Sequence, residues 1–192
     1  RFQSRQKHLD ACIEQGCLID QMKGEVLSVK DIKLKLHYSR PISIELKRQA
    51  LKRASIIAAN TIKLRAYPVQ LSGAWGLLDA SMVEMGTGEG KPLSLALAAA
   101  VRAWKSGPVK ILTANDYLAQ RDADQFFRFY ESCGLKVTAV TGKTEHGDRR
   151  TAYTCDVVYT TARELVGDFL RDQLTYQKLY DGKRRSVEAY MQ

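Results

Sequence analysis

Residues 85–92 read Met85-Gly86-Thr87-Gly88-Glu89-Gly90-Lys91-Pro92. Its three glycines allow a tight turn, so that several backbone N–H groups can surround the oxygens of a phosphate chain. The lysine adds a positive charge where the β- and γ-phosphates of a nucleotide would lie. The sequence therefore predicts a nucleotide-binding loop whose contacts are Gly86, Thr87, Gly88, Glu89, Gly90, Lys91 and Pro92.

Pro92 occupies the position where a working phosphate loop carries Ser or Thr, whose hydroxyl ligates Mg²⁺. Proline has no hydroxyl, although it suits the first turn of a helix, where a missing N–H costs little. We therefore expect ATP or ADP as the ligand, with weakened binding of Mg²⁺. No catalytic residue and no metal ligand is assigned.

The residues on either side of the loop favour phosphate binding over the alternative, a glycine-rich turn that binds nothing. Residues 80–85 predict a short strand, and the apolar residues 93–101 predict a helix. A strand, a glycine-rich turn and a helix in succession form the context in which such a loop binds phosphate.

From residue 80 onward, segments typical of strands alternate with segments typical of helices. The strand candidates are residues 82–85, 109–113, 137–141 and 157–161, and they are mostly apolar, as in a parallel sheet covered on both faces. Helices are predicted from Asn115 or Asp116 up to Gly134 and over residues 162–174. The pattern predicts an α/β fold with a doubly wound parallel sheet of the RecA or P-loop type, which binds ligands at the carboxyl ends of its strands.

Three regions are predicted along the chain. Residues 1–43 are polar and are interrupted by Gly16, Gly24 and the step from Arg40 to Pro41, which indicates an N-terminal arm of short helices or partly extended chain. Residues 44–174 form the nucleotide-binding domain, which opens with an amphipathic helix over 44–59. Residues 175–192 have no apolar strand, and their structure is not predicted.

The charge balance favours acidic partners, because 30 basic and 21 acidic residues leave a net charge of +9. Nucleic acid, acidic lipids and acidic protein tails are candidates. Basic residues cluster at 47–48, 52–53 and 183–185, and the alternative is a solvated helix face with a frayed tail. Nucleic acid is the less favoured partner, because no aromatic residues lie between the basic ones. The four cysteines lack zinc-site spacing and indicate reduced thiols in a cytosolic protein.

A few further polar residues are candidates for the site. The amide of Gln70 can both donate to and accept from one adenine edge. The carboxylates of Glu89 and Asp116 are placed to act near a metal or water, although a helix cap is the preferred interpretation of Asp116. Arg171 is expected in a surface ion pair, and the alternative is that it binds a phosphate-bearing or acidic partner. A nucleotide hydrolase also needs an acidic motif, usually Asp-Glu, and the chain contains no such dipeptide.

Residues 64–172 resemble the first nucleotide-binding domain of the SecA-type preprotein translocase ATPases. Four segments carry the resemblance, namely Leu-Arg-Ala-Tyr-Pro-Val-Gln-Leu at 64–71, the loop at 84–91, Thr-Ala-Asn-Asp-Tyr-Leu-Ala-Gln-Arg-Asp-Ala at 113–123, and Asp-Phe-Leu-Arg-Asp at 168–172. By this resemblance Gln70 contacts adenine and the loop binds phosphates. The final segment resembles the one that precedes the acidic motif of the family.

The resemblance implies a motor ATPase that pushes unfolded secretory proteins through a membrane channel. It further implies a cytoplasmic location, peripheral to the cytoplasmic membrane, with the channel, the preprotein and acidic lipids as partners. Pro92 and the missing Asp-Glu motif depart from the family pattern, so we do not expect hydrolysis by this chain alone. Two alternatives stay open: a pseudo-ATPase that serves as an interaction module, and a helicase-like lobe that binds nucleic acid.

Overall fold

A computed structural model describes residues 2–190, and it describes side chains for residues 6–177. The chain is a mixed α/β protein in which the described residues form eight helices and three strands. The helices are α1 (Phe2–Gln21), α2 (Val29–Tyr38), α3 (Ile44–Thr61), α4 (Pro68–Leu78), α5 (Lys91–Ser106), α6 (Asp116–Ser132), α7 (His146–Ala152) and α8 (Ala162–Tyr190). The strands are β1 (Val109–Thr113), β2 (Val137–Ala139) and β3 (Val157–Thr161).

The three strands form a parallel sheet in the order β1-β3-β2. Val157 of the central strand is in register with Val109 on one side and Val137 on the other. All five residues of β3 are buried, as expected for a strand covered on both faces. Helices with a parallel sheet are thus confirmed, and β1 and β3 have the predicted bounds. Three strands are too few to define the predicted doubly wound arrangement.

Aromatic residues of α6 fasten this helix to the centre of the sheet. Phe126, Phe129 and Tyr130 are buried, and the hydroxyl groups of Tyr130 and Tyr159 lie 3.0 Å apart. Burial raises the pKa of both tyrosines, so both stay neutral at physiological pH. The indole N–H of Trp104, on α5, donates to the carbonyl of Cys133 at 3.0 Å, which joins α5 to the end of α6.

The N-terminal helix α1 lies against α4, and Gly16 is at their contact. A Cβ atom on Gly16 would lie 2.8 Å from the backbone nitrogen of Ser72 and closer still to the carbonyl of Pro68. The prediction that Gly16 interrupts the N-terminal region is therefore wrong, because this glycine lies inside a 20-residue helix. Its missing side chain permits helix packing rather than a turn.

The basic residues of α3 hold the N-terminal region in place. Lys47 pairs with Asp79 and lies 4.2 Å from the ring centre of Trp75 on α4. The other three bind the N-terminal segment: Arg48 donates to the side chain of Gln15, Lys52 to the carbonyl of Asp20, and Arg53 to the carbonyls of Val26 and Leu27. Neither predicted use of this cluster, a polyanion site or a solvated face, describes these contacts.

The C-terminal helix α8 continues to Tyr190, so most of the segment for which no structure was predicted is helical. The side chains of Lys183, Arg184 and Arg185 lie outside the described residues. In the part of the chain that the structure describes, no helix combines the length and the apolar character needed to cross a bilayer.

Candidate functional site

The segment that leads into the glycine-rich loop is not a strand. Residues 81–86 adopt irregular structure, so the predicted strand over 82–85 is wrong. The side chains of this segment pack on α4 instead, since a Cβ on Gly76 would meet Val83 at 2.9 Å and a Cβ on Gly73 would meet Met85 at 2.9 Å. Close contact with the glycine face of α4 replaces pairing with a neighbouring strand.

This arrangement leaves a cavity of about 870 Å³ between α1, α4 and the segment before the loop. Its lining is largely apolar and includes Cys12, Ile13, Val69, Met82 and Met85. A ring nitrogen of His8 lies 2.8 Å from the hydroxyl of Ser81 and ties α1 to the segment at one end of the cavity.

The loop itself has the backbone shape that its glycines predict. Gly88 and Gly90 have φ values of 88° and 75°, in the left-handed region that favours glycine. A Cβ on Gly90 would also collide with the side-chain amide of Gln70. Gly90 is the N-terminal cap of α5, which begins at Lys91 and carries Pro92 in its first turn, as the sequence predicts.

Several backbone N–H groups of the loop are available to an anion. Two are used inside the loop, because Gly86 donates to the Glu89 carboxylate at 2.6 Å and Glu89 donates to the Gly86 carbonyl at 3.3 Å. Pro92 has no N–H. Within residues 2–190, no hydrogen bond is donated by the N–H groups of Thr87, Gly88, Gly90 and Lys91. Four N–H groups and the exposed Lys91 ammonium therefore stand within five residues, a donor set that suits a phosphate chain.

Gln70 lies against this loop although it is 19 residues away from its partner Glu89 in sequence. Its side-chain oxygen accepts from the N–H of Tyr67 at 3.0 Å, which fixes it at the start of α4. Its side-chain nitrogen donates to the carbonyl of Glu89 at 2.9 Å. The structure thus brings together all the residues predicted to bind nucleotide. Contact of Gln70 with adenine stays a prediction.

The loop does not supply the usual ligand for Mg²⁺. The next hydroxyl along α5 belongs to Ser94, which is buried and lies beside Gly73 rather than in the loop. Among the described side chains, no group of three or more His, Cys, Asp or Glu residues is placed to hold a metal ion. The residues present therefore do not fit a Mg²⁺ ion held by this chain's own side chains.

The start of α6 agrees with one of the two caps that the sequence predicts. Asn115 caps the helix, because its side-chain oxygen accepts from the N–H of Leu118 at 2.9 Å. The carboxylate of Asp116 accepts from the N–H of Gly142 at 2.8 Å. The preferred interpretation of Asp116 as the cap is wrong, and this carboxylate instead joins the ends of β1 and β2 on the carboxyl side of the sheet.

Arg149 is a buried arginine near the carboxyl end of β2, and the sequence pattern did not single it out. The guanidinium of Arg149, on α7, donates to Glu164 at 2.8 Å and to Asp168 at 2.8 Å, and both carboxylates belong to α8. It also donates to the carbonyls of Thr141 and Thr144. One side chain thus joins α7, α8 and the turn after β2.

The charges of this cluster stabilise one another. Burial alone would lower the pKa of Arg149, but its hydrogen bonds to Glu164 and Asp168 outweigh burial and raise that pKa. Burial would raise the pKa of Asp168, whereas hydrogen bonds from Arg171, Tyr153 and Arg149 lower it below its ordinary value. The carboxylate is therefore ionised at neutral pH.

The predicted surface ion pair of Arg171 is confirmed. Its guanidinium contacts Asp168 at 2.5 Å, three residues earlier on α8, and the arginine side chain is about half exposed. The sequence carries a signal for each half of the cluster. Glu164 and Asp168 lie four residues apart and share one helix face, as do Arg149 and Tyr153, but the spacing does not show that the two pairs face each other.

Fold and site together define a mixed α/β class of protein, in which a glycine-rich loop at the start of a helix has free N–H groups that suit an anion. Comparison with known families extends this. The SecA DEAD-like domain model matches residues 2–189, and the chain belongs to that family.

Curated relatives agree with this assignment. The chain is 36% identical over 174 residues to protein translocase subunit SecA 2 of Chlorobium chlorochromatii, covering 90% of this chain and 25% of that protein. It is 46% identical over 126 residues to SecA 2 of Mycobacterium sp. strain KMS, covering 66% of this chain and 16% of the relative. It is 40% identical over 119 residues to protein translocase subunit SecA of Anaplasma marginale, covering 62% of this chain and 14% of that protein. The chain thus spans a quarter or less of the length of these relatives.

Proposed function

We propose that this chain is an ATP-binding region of a SecA-like protein translocase, with its small sheet forming part of a RecA-like nucleotide-binding lobe. The observation that carries the proposal is the loop at 86–91, where four N–H groups and the Lys91 ammonium are available to an anion. Membership of the SecA DEAD-like family supports ATP or ADP as that anion.

Each predicted contact has a distinct task in this proposal. The N–H groups of residues 87, 88, 90 and 91 bind phosphate oxygens, and Lys91 neutralises the β- and γ-phosphates. Gly86 and Glu89 shape the loop through the backbone hydrogen bond from the Glu89 N–H to the Gly86 carbonyl, and Pro92 starts α5 at the required angle. Gln70 reads the adenine from its position beside the loop. A bound nucleoside triphosphate would supply the free energy that a motor converts into movement.

The relatives are named as protein translocase subunits, and we extend that role to this chain. In this proposal the protein works on the cytoplasmic side, peripheral to the cytoplasmic membrane. Its partners are a translocation channel, an unfolded preprotein and acidic lipids attracted by the net charge of +9. We also propose the division into an arm at 1–43, a nucleotide-binding domain at 44–174 and a C-terminal segment at 175–192.

A second candidate function is a pseudo-ATPase that binds nucleotide and acts as an interaction module. Pro92 favours it, because this residue removes both the hydroxyl that would ligate Mg²⁺ and one N–H of the loop. The chain also has no Asp-Glu motif to activate water. The helicase-like alternative has less support, because the basic residues of α3 are engaged with the N-terminal segment and α4.

Calorimetric titration of ATP and ADP, with and without Mg²⁺, tests the proposal. Lys91→Ala should abolish or strongly weaken binding, since it removes the charge at the loop. Lys105→Ala is the matched control, because Lys105 lies in the last turn of the same helix. Binding that is unaffected by Lys91→Ala, or no binding at all, would contradict the proposal. Binding strengthened by Mg²⁺ would favour a region of an active motor, and binding indifferent to Mg²⁺ would favour the pseudo-ATPase.

A further inference from the structure

The carboxylate of Glu89 occupies the inside of the glycine-rich loop. Its Oε2 accepts from the N–H of Gly86 at 2.6 Å, a short, charge-assisted hydrogen bond. The side chain also lies flat over Gly86, because a Cβ built on Gly86 would be 3.1 Å from both the carboxyl carbon and Oε1 of Glu89. The loop therefore holds a negative group of its own beside the donors that would receive phosphate oxygens.

The same carboxylate opposes a phosphate ligand in two ways. It occupies one N–H of the loop, which a phosphate oxygen could otherwise use. It also places a full negative charge next to a polyphosphate that carries several, and like charges at such short range repel even in water. Both effects act against binding without changing the number of N–H groups that are free in residues 87–91.

The backbone of Glu89 is fixed independently of its side chain. The carbonyl of Glu89 accepts from the Gln70 amide at 2.9 Å, and the N–H of Glu89 bonds the carbonyl of Gly86. Because Glu89 is exposed to solvent, its side chain has room to rotate outward. The carboxylate can therefore leave the loop while Gln70 and the loop backbone keep their places.

We propose that Glu89 is the resident anion of this loop and sets its affinity for polyphosphates. Its carboxylate closes the loop when no ligand is bound, and a nucleoside polyphosphate binds by displacing it from the N–H of Gly86. This inference rests on the proposed nucleotide-binding function and adds a residue that determines affinity at the same site.

Three substitutions in the full 192-residue chain test the inference. Glu89→Gln removes the charge and keeps a side chain of the same shape, and Glu89→Ala removes the hydrogen bond as well. Glu84→Gln is the matched control, because Glu84 is another exposed acidic residue just before the loop. Titrations with ATP and with inorganic tripolyphosphate, both without Mg²⁺, give the dissociation constants. Circular dichroism verifies that each variant folds like the parent chain.

The expected result is tighter binding of both ligands by about three- to tenfold in Glu89→Gln and Glu89→Ala, with less than about twofold change in Glu84→Gln. Unchanged or weaker binding in both Glu89 variants would overturn the inference, since it would mean that the carboxylate organises the loop for ligand rather than competing with it. In that case Lys91-dependent binding by the parent chain leaves the proposed function standing.

A nuclear magnetic resonance measurement of the Gly86 amide provides a second readout. A short bond to a carboxylate shifts an amide proton downfield, so Glu89→Gln should move the Gly86 signal upfield without any ligand. Tripolyphosphate added to the parent chain should also change the chemical shift of the Gly86 amide proton. An unchanged chemical shift of the Gly86 amide proton in Glu89→Gln would overturn the inference. If neither the parent chain nor any variant binds ATP or tripolyphosphate, the proposed function is overturned as well.

Discussion

Replacing Arg149 by methionine should destabilise the fold strongly, because this side chain is the buried centre of a charge cluster. The side chain of Arg149 is 9% exposed, and its partners Glu164 and Asp168 are 11% and 12% exposed. Removing one partner of a buried pair typically costs about 3–5 kcal/mol, because the remaining charge is left uncompensated. Each lost hydrogen bond to a backbone carbonyl adds about 1 kcal/mol.

Two features of the structure reduce this cost. Arg171 and Tyr153 still contact Asp168 after the substitution, and both carboxylates retain some access to water. We therefore expect the free energy of unfolding to fall by about 3 kcal/mol. This is a large part of the total free energy of unfolding of an ordinary domain, which is roughly 5–15 kcal/mol. Arg149→Lys should fall between the parent and Arg149→Met, because lysine keeps the charge but not the planar set of five donors.

Urea denaturation followed by circular dichroism measures this difference. Arg150→Met is the matched control, since Arg150 is the exposed neighbour on the same short helix, and its effect should stay within about 0.5 kcal/mol. Adding Glu164→Gln to Arg149→Met should restore part of the loss, because it removes one uncompensated carboxylate. A loss below about 1 kcal/mol for Arg149→Met, or no restoration by the second substitution, would refute the reasoning about a buried charge cluster.

Two further outcomes follow from the packing and from the pKa of Asp168. Gly16→Ala should lower the midpoint of thermal unfolding and destabilise the chain by about 1–3 kcal/mol, because a Cβ would press on the backbone of α4. The control is Gly147→Ala, which should be neutral or slightly stabilising because Gly147 lies in a helix with open space around it. Equal effects of the two substitutions on stability would contradict this explanation. The lowered pKa of Asp168 contributes stability above the unfolded-state value near 3.8, and this contribution is lost as pH falls further. Asp168→Asn should therefore destabilise the chain at pH 7 and flatten the decline of stability below about pH 4, which denaturant titrations across pH would detect.

The elements that the sequence predicted well are those in which local pattern and packing agree. β1 and β3 are short apolar runs that end at turn residues, and α3 follows an apolar stripe at three- and four-residue steps. β2 ends at Ala139 instead of residue 141, yet the N–H of Val140 still bonds the carbonyl of Tyr159 at 2.8 Å. The loop and the start of α5 were likewise predictable, because glycine and proline act through their own backbone geometry.

The failures have one cause, which is dependence on a distant partner. Residues 82–85 have the composition of a strand, but α4 offers two glycines against which the segment packs. Gly16 resembles a helix breaker until α4 crosses it, and the basic residues of α3 look solvated until residues 15–27 fold over them. Arg149 was missed for the same reason, since its carboxylates come from α8. Sequence spacing does not contain these distances.

The two tryptophans give the chain a pair of built-in optical reporters. Trp75 is buried where α3 meets α4, under the ammonium of Lys47, and Trp104 is buried where α5 meets the end of α6. One ring therefore senses the helical N-terminal half and the other senses the half that carries the sheet. In single-tryptophan variants, fluorescence recorded against denaturant would show whether the two halves melt together or in succession. Coincident curves would mean that the chain is one cooperative unit, and separated curves would locate a folding boundary between α4 and α5.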